Sequence, residues 1–317
     1  MRIKKEYIGL AVAIVVLALY LALRDTDRTH YELPVLEPLE DSKIDRLLIS
    51  RPDGELRLAR RGDGWVIEPE GYPVSGASID EMLKSVGALA ATSLVSESES
   101  YAQYDLGEDS RIVVEAFGGS ELLRRFDVGK AASTYRHTYV LFEGDPRVYQ
   151  ARGNIKRIFE KKVDQLRDRA VHAVDRAGVT SIMVRDDSGS LTLEKVTRSI
   201  EPSGDGESAP TPVIAWLTAD SLQADGEVVD NILGSTVNLQ ADGFPDGITN
   251  GDLGEPEFTL VTSGVSSDTL FIYGERGDEK KFLTASSKYP FPFLISEWKV
   301  KQIRKSPAEI MGDKKGE

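Results

Sequence analysis

The sequence predicts an α+β protein. One N-terminal transmembrane helix is followed by two tandem homologous α+β modules of mainly antiparallel strands, each with one core helix and one closing helix. Three observations lead there. An uncharged apolar stretch, residues 7–23 (YIGLAVAIVVLALYLAL), stands near the N-terminus. Short runs of alternating apolar and polar residues, separated by Gly, Pro and Asp turns, fill the rest of the chain. These runs and the helices between them occur twice in the same order.

Composition is that of a globular protein. The 317 residues are 40% hydrophobic and 29% charged, enough for about two domains with cores of their own. The net charge of −13 argues against nucleic acid or anionic lipid headgroups as main ligands. Cysteine is absent, which excludes a disulfide framework, a thiolate metal site, a cysteine nucleophile and a lipid-modified N-terminal cysteine.

At about 1.5 Å per residue, helical residues 7–23 cover roughly 25 Å, close to a bilayer core. Arg2, Lys4 and Lys5 precede the stretch, whereas Arg24, Asp25, Asp27 and Arg28 follow it with no net charge. This asymmetry predicts a single-pass inner-membrane anchor (1–24) with its N-terminus in the cytoplasm and the bulk in the periplasm. Tyr20 occupies the −3 position for cleavage after Ala22, so an uncleaved anchor is favoured over a signal peptide. Residues 25–41, with Pro34 and Pro38, read as an extended tether.

Module 1 spans 42–172. Strands are expected at 44–49, 55–60 and 65–67, then a helix with Ile79, Met82, Leu83, Val86 and Leu89 at helical spacing. Four strands follow, at 112–117, 122–128, 137–142 and 148–150. A closing helix from about Ile155 places Ile158, Phe159, Val163 and Leu166 on one face. Module 2 spans 173–305 and repeats this order, interrupted by a hydrophilic insert at 197–212 that is expected to be flexible. Residues 306–317 are expected to form a disordered tail. The repeat markers are Trp65 and Trp216, Leu106-Gly107 and Leu253-Gly254.

Trp65, Tyr104-Asp105-Leu106-Gly107, Val128-Gly129, Tyr139-Val140 and Leu166-Arg167-Asp168-Arg169 resemble domain-of-unknown-function family 4340. The resemblance covers nearly the whole chain and is strongest over 1–185. It implies likeness to the extracytoplasmic parts of gliding-motility-type ABC transporter auxiliary components, hence an accessory role beside a membrane partner such as an ABC permease. It carries over no catalytic residues.

The residues themselves nominate no catalytic, cofactor or metal site. His30, His137 and His172 lack a second histidine at metal spacing, so solvated or core positions are expected. The loop Asp242-Gly243-Phe244-Pro245-Asp246-Gly247, continuing to Asp252 and Glu255, has oxygen ligands that suit calcium, but Phe244 stands where the middle ligand belongs. No nucleophile elbow or phosphate loop occurs. Trp65 and Trp216 are better read as core anchors than as ligand-stacking residues. Tyr289, Phe291 and Phe293, interleaved with Pro290 and Pro292, form either a partner-docking edge or an edge strand protected by its prolines.

The function expected is therefore non-enzymatic: an anchored accessory or scaffold subunit of an ABC-type transport or envelope complex. The alternatives are a periplasmic ligand- or calcium-binding sensor, and an envelope hydrolase working through carboxylates such as Asp105 and Asp252.

Overall fold

The computed structural model describes residues 14–20, 31–200, 211–277 and 280–312. Of these, 43% lie in strands and 22% in helices. The expected α+β class gives way to mostly antiparallel sheet, because each sheet is a run of hairpins while the helices are short. The expected membrane helix is corrected too. Its described part, α1, covers residues 14–20, about 10 Å of helix against a bilayer core of about 30 Å. Among the described residues no helix is long and apolar enough to cross a membrane, which removes the support for the single-pass inner-membrane placement. The rest of the 7–23 stretch lies outside the described residues.

The chain forms two compact units, one of residues 1–56 and 81–160 and the other of 57–80 and 161–317. With elements numbered in chain order, the first unit holds β1 (Arg46–Arg51), β5 (Ala91–Ser96), β6 (Ile112–Gly118), β7 (Glu121–Ala131), β8 (His137–Phe142) and β9 (Val148–Arg152). They pair antiparallel in the order β1-β6-β7-β8-β9-β5. Period-two alternation gives the sheet two different faces. One carries Val114, Phe126, Val128 and Val140, all fully or almost fully buried. Onto this face packs α3 (Ile155–Phe159), whose Phe159 ring meets Phe126 edge-on at 5.9 Å, and Met82 and Val86 on the C-terminal turns of α2 (Gly76–Gly87) are fully buried.

Two local devices fix these helices. Arg124 reaches from β7 to the carbonyls of Val86, Gly87 and Glu37, satisfying the free carbonyl end of α2 and tying the 36–39 segment to it. Gly87 is needed there, since a Cβ would lie 2.5 Å from the Leu39 carbonyl oxygen. Thr138 Oγ1 accepts from the Ile155 amide at 2.9 Å and donates to Gly153 O at 2.7 Å, setting the start of α3. The closing helix expected from Ile155 is split: α3 ends at Phe159 and α4 is Val163–Leu166, with Lys162 extended between them.

The second unit contains β2 (Gly54–Arg61, which the division cuts), β3 (Gly64–Glu68) and β4 (Tyr72–Pro73), the short pair β10 (Ala170–His172) and β14 (Leu239–Gln240), and β11 (Val179–Asp186), β12 (Gly189–Ile200), β13 (Thr211–Leu217), β15 (Phe258–Gly264), β16 (Ser267–Arg276), β17 (Lys281–Ser286) and β18 (Tyr289–Ser296). The later strands form one seven-stranded antiparallel sheet, β13-β12-β11-β15-β16-β17-β18. The run β11-β15-β16-β17-β18 has the same strand order as β1-β6-β7-β8-β9. Helix α5 (Gly226–Thr236), capped by Asp225 on the amides of Glu227 and Val228, buries Val229, Ile232 and Leu233 in this core. Two short helices, α6 (Glu297–Ile303) and α7 (Pro307–Ile310), close it with Val300, Ile303 and Ile310. Strand pairing runs into the insert, with Thr197 to Ile200 opposite Ile214 to Thr211, and 201–210 lie outside the described residues.

Candidate functional site

The aromatic strand nominated from the sequence is β18. Tyr289 and Phe293 are buried in the second unit's core, and Phe291 packs half-buried against it. All three rings are on one face, with Tyr289 6.3 Å from Phe291 and 6.1 Å from Phe293. The ring of Phe244 joins them, stacked on Tyr289 at 6.1 Å. Phe244, Phe291 and Tyr72 enclose Arg167. Its guanidinium carbon is 3.6 Å from the Phe244 centroid, 3.9 Å from Tyr72 and 5.8 Å from Phe291. Arg167 is 5% exposed, and its Nε and Nη2 have no hydrogen-bond partner among the described residues, so ring faces stabilise the charge. Arg167 lies in the Leu166-Arg167-Asp168-Arg169 run, whose backbone bonds to 73–75: Ser75 N to Leu166 O and Asp168 N to Pro73 O, both 2.8 Å.

The outer edge of β18 is closed. The amide of Leu294 donates to Gly243 O at 2.9 Å and its carbonyl accepts from Asp242 N at 2.8 Å, so the even-numbered residues face outward. Of these, Ser296 donates its amide to Asp242 Oδ2 at 2.8 Å, and Pro290 and Pro292 have no amide hydrogen. Asn250 Nδ2 covers the Pro290 carbonyl at 2.8 Å. No donor remains there for an incoming strand.

The other singled-out residues have local partners. Trp65 is 6% exposed, with the Arg60 guanidinium over its ring at 5.1 Å, and Trp216 is 3% exposed in the second core. Leu106 is fully buried on the outer face of the first sheet with Leu141 and Val148. It can seat there because residue 129 is glycine: a Cβ at that position would lie 2.2 Å from Tyr104 O and 2.9 Å from Leu106. Gly107 follows in the turn, its carbonyl accepting from the amides of Ser110 and Arg111. In the second unit Leu253 is only half-buried and Gly254 is exposed. Asp105 adopts φ 55° at the end of a 3-10 turn and pairs with Lys156 at 3.3 Å. Asp252 accepts from Thr249 N and Oγ1 at 2.9 and 2.6 Å.

In the 242–255 loop the Asp242 carboxylate is taken by Lys299 Nζ at 2.8 Å and the Ser296 amide, and Phe244 is buried. Among the described residues no three His, Cys, Asp or Glu side chains converge as a metal site would require. His172 is 2% exposed, its Nδ1 2.7 Å from Ser286 Oγ. His30 lies outside the described residues, and His137 opens β8.

Two concave regions of the first unit carry more. On the outer sheet face, a cavity of about 360 Å³ holds Asp127 on β7, with the Arg111 guanidinium at 3.0 Å. Burial raises the Asp127 pKa against the pull of Arg111 and Arg125. On the rim of the same cavity Arg147 grips Asp145 through Nε and Nη2 at 2.9 and 2.8 Å, and Tyr149 Oη donates to it at 2.8 Å. These bonds hold the Asp145 carboxyl down at about 2, and burial together with Asp145 pushes Tyr149 up to about 12. Both carboxylates are engaged in ion pairs that brace the sheet and the β8–β9 turn.

The second region is a groove of about 500 Å³ between α2, α3 and the start of β5. Leu89, Ile155 and Ile158 line it with apolar surface, and Lys84, Arg152 and Glu81 line it with charge. A further cavity of about 400 Å³ flanks the same end of α2 with Leu36 and Leu39. The groove borders β5, which ends the sheet and pairs only with β9. Among the described residues, no group bonds to the β5 backbone from its free side. The sequence marks this strand poorly, because Ala91-Thr92-Ser93-Leu94-Val95-Ser96 has no clean alternation and pairs through two bulges. Its recognisable signal is a short β-branched run straight after a helix.

The architecture thus defines an antiparallel, two-unit β protein that closes one sheet edge and leaves another open beside a groove. The chain belongs to the family described as Domain of unknown function (DUF4340), whose model matches residues 65–257. No curated protein and no solved structure matches it.

Proposed function

We propose that this protein is a non-enzymatic accessory protein, a subunit or scaffold of an ABC-type transport or envelope complex, and that it receives an extended segment of a partner protein along β5. The observation that carries this reading is the open edge of β5 beside an apolar groove. An unprotected edge is an aggregation liability that proteins normally cover, as this chain does at β18, and strand addition is the usual use of one left free. The engagement of Asp127, Asp145, Asp105 and Asp252 in local bonds supports a binding role over carboxylate catalysis. The transport assignment rests on the family resemblance read from the sequence.

The test is in-cell crosslinking of the full chain, affinity purification and mass spectrometry. Recovery of an ABC permease with its ATPase is the expected result. Recovery of nothing above the background of an unrelated tagged protein contradicts the accessory role.

A further inference from the structure

We infer that the segment received along β5 carries apolar and acidic side chains on one face, at positions i and i+2, so that the apolar ones enter the groove and the carboxylates meet Lys84 and Arg152. This rests on the docking reading above and specifies the chemistry of the partner.

The charges of the groove motivate it. Lys84 and Arg152 are both exposed and, among the described residues, neither side chain has an ion-pair or hydrogen-bond partner. The neighbouring charges are already matched: Glu81 pairs with Arg157 at 3.2 Å, and Lys156 with Asp105 at 3.3 Å. Two unmatched cations therefore share a groove with apolar side chains in a chain whose net charge is −13. The long-range field of such a chain disfavours acidic partners, so a local pair of free cations gives an acidic segment one preferred place to dock. The spacing follows from strand geometry. Successive side chains of an added strand point to opposite faces, so residues that share the groove are two apart, about 7 Å along the strand. Apolar and cationic side chains line the same groove, so one face of the partner must present both apolar and acidic side chains.

The test uses fluorescein-labelled peptides of sequence Val-Thr-Glu-Thr-Val-Thr-Glu-Thr and its counterpart with Lys for Glu, titrated with the full-length protein at about 0.15 M salt, where the long-range field of the chain is screened and contact pairs persist. Fluorescence anisotropy is the readout. The Glu peptide is expected to bind about tenfold tighter, the effect of two exposed charge pairs together. The double variant K84E/R152E, checked for native circular dichroism, is expected to reverse the preference. Equal binding of both peptides, or a preference unchanged by the double variant, overturns the charge inference. A third peptide, the Glu sequence with alternate backbone nitrogens methylated, tests strand addition separately. It is expected to lose binding, and if it binds as well as the parent the docking along β5 is wrong even where the charge preference holds. Failure of every peptide to bind overturns both.

Discussion

His172 offers a direct check on the second unit. It closes β10 (Ala170–His172), 2% exposed, and sits near Ser286 Oγ and the buried Asp268, which is paired with the exposed Lys288. Burial pushes its imidazole from 6.5 down to about 4, with Lys288 adding to the push and Asp268 opposing it. Between those values the unfolded chain holds a proton at this position that the folded protein does not, so stability falls as pH falls. The contribution is complete above pH 6.5 and is lost on the way down to about 4. At about 1.4 kcal/mol for each pH unit of displacement the full loss is about 3 kcal/mol, of which about 2 kcal/mol has gone by pH 5. His172→Gln keeps a hydrogen-bond partner for Ser286 and removes the titration. Urea unfolding at pH 7.5 and pH 5.0 of both proteins isolates the effect, because all other groups are shared. Wild type should lose about 2 kcal/mol more than the variant over this interval. Equal losses would mean that His172 is hydrated in solution and that the packing around β10 is different.

Four further outcomes follow from the geometry. Asp145→Asn should cost about 1 kcal/mol at pH 7, because solvent screens the partly exposed Arg147 partner, and the cost should vanish as pH falls from about 4 to about 2, where the wild-type carboxyl protonates; thermal melts across that range check it. Gly129→Ala should destabilise by about 1–3 kcal/mol by driving the Tyr104 to Leu106 segment off the sheet, seen as faster amide exchange at 101–107 in an otherwise native protein. Phe244→Ala should cost about 3–5 kcal/mol, since it opens a cavity and strips a ring face from Arg167; Arg167→Met should be neutral or stabilising, because it replaces a buried unpaired cation with an apolar side chain. Chemical denaturation of the two variants side by side reads the contrast.

Much of the strand layout was legible because half-buried strands advertise themselves by period-two alternation. Strand β1, with Leu47 and Ile49 buried between exposed or half-buried neighbours, is a clear case. Features set by long-range partners were not. Phe244 breaks the ligand spacing of a calcium loop, and its place in the fold, one wall of a cage around Arg167, depends on Tyr72, far away in the chain. The helix from Ile155 kept its apolar spacing in sequence yet breaks after Phe159. Thr138 and Asn154 fix its start from one side, and the 166–168 backbone is claimed by 73–75 from the other. Apolar content near the N-terminus is legible in sequence, and Ile14, Val16 and Leu17 on α1 are more than half exposed; residues 7–13 and 21–23 of that stretch lie outside the described residues. The docking surface shows the same limit. Rings and prolines drew attention to β18, and the state of a strand edge depends on which backbone groups are already bonded.

The central claim, an open β5 edge and a closed β18 edge, is tested most directly by site-specific photocrosslinking in cells. A benzophenone amino acid is placed at exposed Thr92 on β5 in one protein and at exposed Pro290 on β18 in another. The account predicts one discrete crosslinked product from position 92 and none from position 290. A product from position 290 alone, or the same products from both, would contradict it.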